Sequence, residues 1–93
     1  MPLIIFVCTA NTCRSPMAEY FARQFVSEKY LNNVCIESRA LTNVYEPENS
    51  EASALGIEIL KNQYNLDMSR HRSRLISVED IRNASLVRYS LFI

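Results

Sequence analysis

Leu3 to Cys8 is an unbroken apolar run with β-branched Ile4, Ile5 and Val7, which predicts a strand covered on both faces in a parallel sheet. Thr9 to Cys13 is small and polar, so a turn follows. Beyond Ser15-Pro16, the residues Met17, Ala18, Phe21, Ala22 and Phe25 recur at helical spacing. They predict a helix that reaches Tyr30, with Pro16 as its first helical position. Val34 to Leu41 predicts a second strand, and the polar stretch Thr42 to Asn49, with Pro47 inside it, a loop. Ala52, Leu55, Ile59 and Leu60 then repeat every three to four residues, which predicts a helix from Ser50 to about Tyr64 capped by Asn49 or Ser50. Ser77-Val78-Glu79-Asp80 has the form of a capping box opening a short helix, and Ser85 to Ile93 predicts a third strand that carries Arg88. Alternating strands and helices give the α/β class: a small parallel sheet with flanking helices and right-handed crossovers.

Length and composition narrow this picture. Ninety-three residues make one domain, 1–93, and a composition of 48% hydrophobic and 22% charged residues excludes disordered and collagen-like chains. Ten basic residues balance ten acidic ones, so no global field draws the chain to nucleic acid or to an anionic membrane, and neither is expected as a partner. The opening MPLIIFV is too short an apolar run, with no basic flank, to read as an export signal or a membrane span, and a cytoplasmic location is expected. The single glycine, Gly56, excludes both the Walker loop and the dinucleotide-binding turn. An odd cysteine count, Cys8, Cys13 and Cys35, argues for reduced or reactive thiols over a disulfide framework.

Chemistry concentrates in Cys8-Thr9-Ala10-Asn11-Thr12-Cys13-Arg14-Ser15. A cysteine and an arginine bracketing five residues, between a buried strand and a helix N-terminus, can wrap one anion. Backbone N–H groups of residues 9 to 14 can converge on phosphate oxygens, the helix dipole adds positive potential, and the Arg14 guanidinium can grip two oxygens. The same field lowers the pKa of Cys8 and makes it a thiolate nucleophile. Ser15 can donate its hydroxyl to that thiolate, and Asn11 tolerates the left-handed backbone that such a loop needs without glycine.

Val7 to Pro16 matches V-C-x-x-N-x-C-R-S-P, and on this motif the chain resembles the low molecular weight protein tyrosine phosphatases, from Leu3 to about Val87. The resemblance implies Cys8 as nucleophile, Arg14 as phosphate clamp, Ser15 as thiolate stabiliser and Asn11 as loop organiser. Ser38 and His71 match family residues that support the loop. It also implies a reversible redox pair between Cys8 and Cys13, against which stands simple packing of Cys13. Ala10 stands where the family usually has glycine, and Arg39-Ala40 where Ala-Gly is common. Family members continue for about half as much chain again, through a further strand, a last helix and an Asp-Pro general acid. Here Pro2, Pro16 and Pro47 follow Met1, Ser15 and Glu46, so these residues hold no Asp-Pro pair. The expected domain is therefore an incomplete member of the fold, impaired in proton donation, with surface open to self-association.

The expected function is a phosphoprotein (phosphotyrosine) phosphatase working through a cysteinyl-phosphate, on a phosphorylated protein or small aryl phosphate, with inorganic phosphate as product and no cofactor. One alternative is a catalytically weak module that binds phosphate or phosphoproteins. Protein arginine phosphatase is another, because Thr12 resembles the small hydroxyl residue of that bacterial branch; Tyr45 is expected at the mouth of the site. Arsenate reduction ranks lower, since Cys35 does not match the further redox cysteines it uses. Cys35 reads as core, and a zinc site from three cysteines and His71 is disfavoured because it would consume the anion loop. Arg70, Arg72 and Arg74 read as a solvated face.

Overall fold

The computed structural model describes residues 2–31 and 33–89. Strands β1 (Leu3–Cys8), β2 (Cys35–Ala40) and β3 (Leu86–Tyr89) form a parallel sheet in the order β2-β1-β3, with helices α1 (Arg14–Glu28), α2 (Ala54–Tyr64) and α3 (Val78–Asn83) between them. The small parallel sheet with flanking helices is thus as the sequence predicts. The part of the predicted third strand in residues 90–93 lies outside the described residues. Among the described residues, no helix is long and apolar enough to cross a membrane.

β1 is the central strand, with Leu3 paired to Cys35 on one side and Ile4 to Leu86 on the other. Its Ile5, Val7 and Cys8 are buried, whereas all four residues of β3 are exposed at an open edge. A second cluster gathers Leu60 and Met68, both fully buried, with Ala52, and packs Met17, Tyr20, Ile57 and Leu66 around them.

Helix boundaries and faces differ from the periodicity. α1 begins at Arg14, two residues before Pro16, and ends at Glu28, because Tyr30 takes φ 57° and Leu31 N–H returns to the Val26 carbonyl. Its buried residues are Ser15, Pro16 and Glu19. Phe21 and Phe25 stand outward, Phe21 meeting Tyr64 of α2 edge-on at 4.7 Å. The polar residues face the sheet because the loop they serve lies there. α2 begins at Ala54 with Ser53 as its cap, since Asn49 and Ser50 are taken by backbone bonds with Ser73. Gly56 and Leu60 continue its buried stripe from Ala52, and Leu55 is exposed. The capping box forms as predicted: Ser77 Oγ accepts the Asp80 N–H, and Asp80 accepts the Ser77 N–H.

Candidate active site

The segment Thr9–Cys13 leaves the C-terminal end of β1, the central strand, where connections run to opposite sides; open α/β sheets place their ligand crevices at such a point. The carbonyls of Cys8, Thr9, Asn11 and Thr12 are held by neighbouring segments. Cys8 O accepts from Leu41 N–H, Thr9 O from Leu41 and Thr42 N–H, Thr12 O from Ser53 N–H, and Asn11 O from His71 Nε2 at 2.8 Å. A carbonyl only accepts, so the His71 proton sits on Nε2. The N–H groups of Ala10, Thr12 and Cys13 meet no backbone carbonyl among the described residues, which leaves them for a ligand.

Asn11 turns the loop at φ 59°, as expected of a left-handed position without glycine; Ala10 and Ala40 both lie outside that region. The amide of Asn11 is fully buried, and its orientation follows from its partners. Oδ1 accepts the Arg74 backbone N–H at 3.0 Å, so Nδ2 donates to Ser15 Oγ at 2.7 Å and to Ser38 Oγ at 2.9 Å. Ser38 passes its own proton to Glu19 Oε1 at 2.5 Å, and Glu19 pairs with Arg23 at 2.6 Å. Because Ser15 Oγ accepts from Asn11, its own proton is left for the Cys8 sulfur at 3.1 Å, nearer than the Arg39 carbonyl at 3.5 Å, and Ser15 N–H also donates to the sulfur at 3.3 Å.

Burial by itself raises the Cys8 pKa. The Ser15 side-chain and backbone bonds, the Asn11 backbone N–H and the Arg14 charge outweigh it, and the thiol titrates below its ordinary value. Helix α1 adds to this field: it carries no side-chain cap and no acidic residue in its first turn. Arg14 Nη2 donates to Thr9 Oγ1 at 3.3 Å. A cleft of about 370 Å³ is walled by the loop from Cys8 to Arg14 and flanked by Tyr45, room enough for an aryl phosphate.

The structure thus brings Cys8, Thr9, Ala10, Asn11, Thr12, Cys13, Arg14, Ser15, Ser38, His71 and Tyr45 to one place. Cys35 is not among them. It opens β2, opposite Leu3 and so five residues, or about 16 Å, from Cys8 along the sheet. Burial, then the Glu37 carboxylate that accepts its S–H, pushes its pKa up. Cys13 Sγ packs 3.9 Å from Met17 Sδ, and a side-chain carbon at Gly56 would stand 3.7 Å from it. Three participants escaped the sequence reading: Glu19, the Arg74 N–H and the Tyr89 hydroxyl. Glu19 had a signal, since it follows Ser15 by one helical turn on the same face.

A family model described as low molecular weight phosphotyrosine protein phosphatase matches residues 3–88. Among curated relatives, an arsenate reductase of Staphylococcus aureus (strain bovine RF122 / ET3-1) is 36% identical over 86 residues, 90% of this chain and 56% of that protein. Among solved structures, the low molecular weight protein tyrosine phosphatase from T. tengcongensis superposes with a TM-score of 0.82 at 37% identity, covering 96% of this chain and 58% of that one. A drosophila arginine phosphatase does so with a TM-score of 0.84 at 31% identity, covering 92% and 52%. The chain spans little more than half the length of these relatives.

Proposed function

The chain belongs to the low molecular weight phosphotyrosine protein phosphatase family, and on that premise we propose that it is a phosphatase acting through a cysteinyl-phosphate on Cys8. The thiolate of Cys8 attacks phosphorus and forms the S–P bond, while the P–O bond to the leaving group breaks and its electrons go to that oxygen. Arg14 and the free loop amides hold the three equatorial oxygens. Water then attacks phosphorus, the S–P bond breaks, inorganic phosphate leaves, and Ser15 receives the returning sulfide charge with two hydrogen bonds. The observation that carries this reading is the loop itself: carbonyls tied to neighbouring segments, unused amides and a thiol held below its ordinary pKa at the foot of the cleft.

Phosphorylated protein is the substrate class this reading gives, with phosphotyrosine first and phosphoarginine as the alternative that Thr12 supports. Arsenate reduction is less well supported. It needs electrons from further thiols, and beyond the loop these residues offer only Cys35, distant and with a raised pKa.

The test is alkylation of Cys8 by iodoacetamide as a function of pH. An apparent pKa well below about 8.5, with protection by phosphate or vanadate, is expected. Ordinary thiol reactivity without protection overturns the reading.

A further inference from the structure

Tyr89 ends the described part of β3, paired with Val7, so the strand delivers its side chain beside the first residue of the anion loop. The ring lines an apolar groove with Val7, Leu41, Ile76, Ile81 and Val87, and its hydroxyl lies 3.2 Å from Thr9 Oγ1. That same oxygen takes the Arg14 Nη2 proton at 3.3 Å. A guanidinium only donates, so Thr9 Oγ1 is an acceptor toward Arg14. The Tyr89 bond then uses either the Thr9 proton or the second Thr9 lone pair. In both arrangements the Thr9 hydroxyl is held between two partners, and its χ1 cannot turn without breaking one of them.

We propose that Tyr89 is a positioning residue for Arg14: seated in the groove by its ring, it locks the Thr9 hydroxyl that holds the guanidinium, and so keeps the fork aimed at the bound phosphoryl group. The proposal rests on the reading of the loop as a phosphoryl site and adds to it a residue contributed by β3. An arginine loses side-chain freedom when it grips an anion, and a fork held in place beforehand loses less. Tyr89 touches neither the sulfur nor its hydrogen-bond partners, so it reaches thiol ionisation only through the Arg14 charge, the smallest of the influences on Cys8, and its main effect is on anion affinity.

Tyr89→Phe removes one oxygen and keeps the ring in the groove. Phosphate affinity, read from protection of Cys8 against iodoacetamide, is expected to fall by about 3–10-fold, the range for one hydrogen bond. The pH at which Cys8 ionises is expected to rise only slightly, since the Arg14 charge is the smallest influence on it, and KM for an activated aryl phosphate to rise. Thr9→Val is expected to cause the same loss, and the double variant no more than either alone, because both cut one chain of contacts. A second readout does not need the anion: rotation of the Arg14 Nη2 amino group, followed by nitrogen-15 NMR, is expected to be slower in the parent than in Tyr89→Phe. Equal phosphate affinity in the parent and Tyr89→Phe, additive losses, or equal Nη2 rotation overturns the proposal. Absence of phosphate protection in the parent overturns instead the reading of the loop, and the NMR comparison then decides the role of Tyr89.

Discussion

Asn11 Oδ1 accepts the backbone N–H of Arg74 across 3.0 Å, and this one bond decides which way a buried amide faces. With its oxygen taken, Asn11 must present its NH2 to Ser15 and Ser38, and Ser15 keeps its proton for Cys8, a nearer acceptor than the Arg39 carbonyl. Asn11→Asp keeps the shape and tolerates φ 59°, but a carboxylate cannot donate to either serine. Ser15 would then turn its proton to the new carboxylate, whose charge also opposes a thiolate. The apparent pKa of Cys8, from iodoacetamide rates against pH, is expected to rise and phosphate protection to weaken. An unchanged profile would mean that the Asn11 amide does not direct the Ser15 proton.

Glu19 ends the same chain of hydrogen bonds. Its side chain is 8% exposed, while that of its partner Arg23 is 52% exposed. Removing the carboxylate leaves the Ser38 proton buried and unmet, whereas the half-exposed Arg23 keeps the Ile36 carbonyl and water as partners. Glu19→Ala is therefore expected to cost about 1–3 kcal/mol, the penalty for one stranded polar group, and not the larger loss of a fully buried ion pair. In a chain of this size each kcal/mol lowers the thermal midpoint by about 4–8 °C. Glu19→Gln keeps an oxygen for Ser38 and is expected to lose less; equal loss in the two variants would show that the hydrogen bond is not what matters.

Thr12 lines the cleft with Tyr45, and its small hydroxyl side chain is the feature that supports phosphoarginine as a substrate. Thr12→Ile removes the hydroxyl and narrows the cleft. The ratio of kcat/KM for phosphotyrosine to that for phosphoarginine peptides is expected to rise about tenfold or more, the scale of a lost polar contact in a pocket. A ratio that stays put removes Thr12 from substrate selection.

Most of the loop was legible in the sequence because its chemistry is carried by residue types at fixed spacing: Cys8, Asn11, Arg14 and Ser15 occur together for no other evident reason. The central strand was legible because it is apolar along its whole length. The helix faces were not. Phe21 and Phe25 point away from the sheet, and Glu19, which apolar periodicity places outside, points in, because α1 supports a polar network there. The α2 cap is Ser53 and not Asn49 or Ser50, because those two pair with Ser73, a contact between segments distant in sequence that no local pattern encodes. Tyr89 became visible only with the register of β3 against β1.

Asp80 gives a pH dependence of definite sign. Burial raises its pKa, but the Ser77 N–H and the Arg39 guanidinium, each at 3.0 Å, outweigh this and hold the carboxyl below its ordinary value. A carboxyl with a depressed folded-state pKa contributes stability that is present above its unfolded pKa of about 3.9 and is lost as pH falls through the folded value. Asp80→Asn is expected to lower the urea midpoint at pH 7, by the equivalent of about 1–2 kcal/mol for the cap and charged bond together. The gap between variant and parent is expected to shrink below about pH 4. A gap of the same size at pH 3 and pH 7 would assign the loss to shape rather than charge.

Leaving-group dependence tests the proton inventory of these 93 residues. When the S–P bond forms, the departing phenolate of phosphotyrosine has a conjugate acid of pKa about 10 and benefits from a proton donor, an effect worth about 10²–10⁴-fold, or roughly 3–5 kcal/mol of barrier. The residues carry no Asp-Pro pair. Tyr45 flanks the cleft, and its neighbour Glu46 is exposed in a polar loop after β2 and is not among the residues that line the cleft. Arg14 and the loop amides stabilise charge on the phosphoryl oxygens and do nothing for the leaving oxygen. Rates of the 93-residue polypeptide are therefore expected to fall steeply as the leaving group becomes more basic. Activated aryl phosphates should be cleaved and plain phosphotyrosine left nearly inert, while the burst of cysteinyl-phosphate formation stays detectable with the activated esters. Comparing kcat/KM across a series of substituted phenyl phosphates reads this slope directly. A flat series, with phosphotyrosine cleaved as fast as its activated analogues, would require a proton donor within these residues. Glu46→Gln is the variant that would then identify or eliminate the carboxyl next to Tyr45.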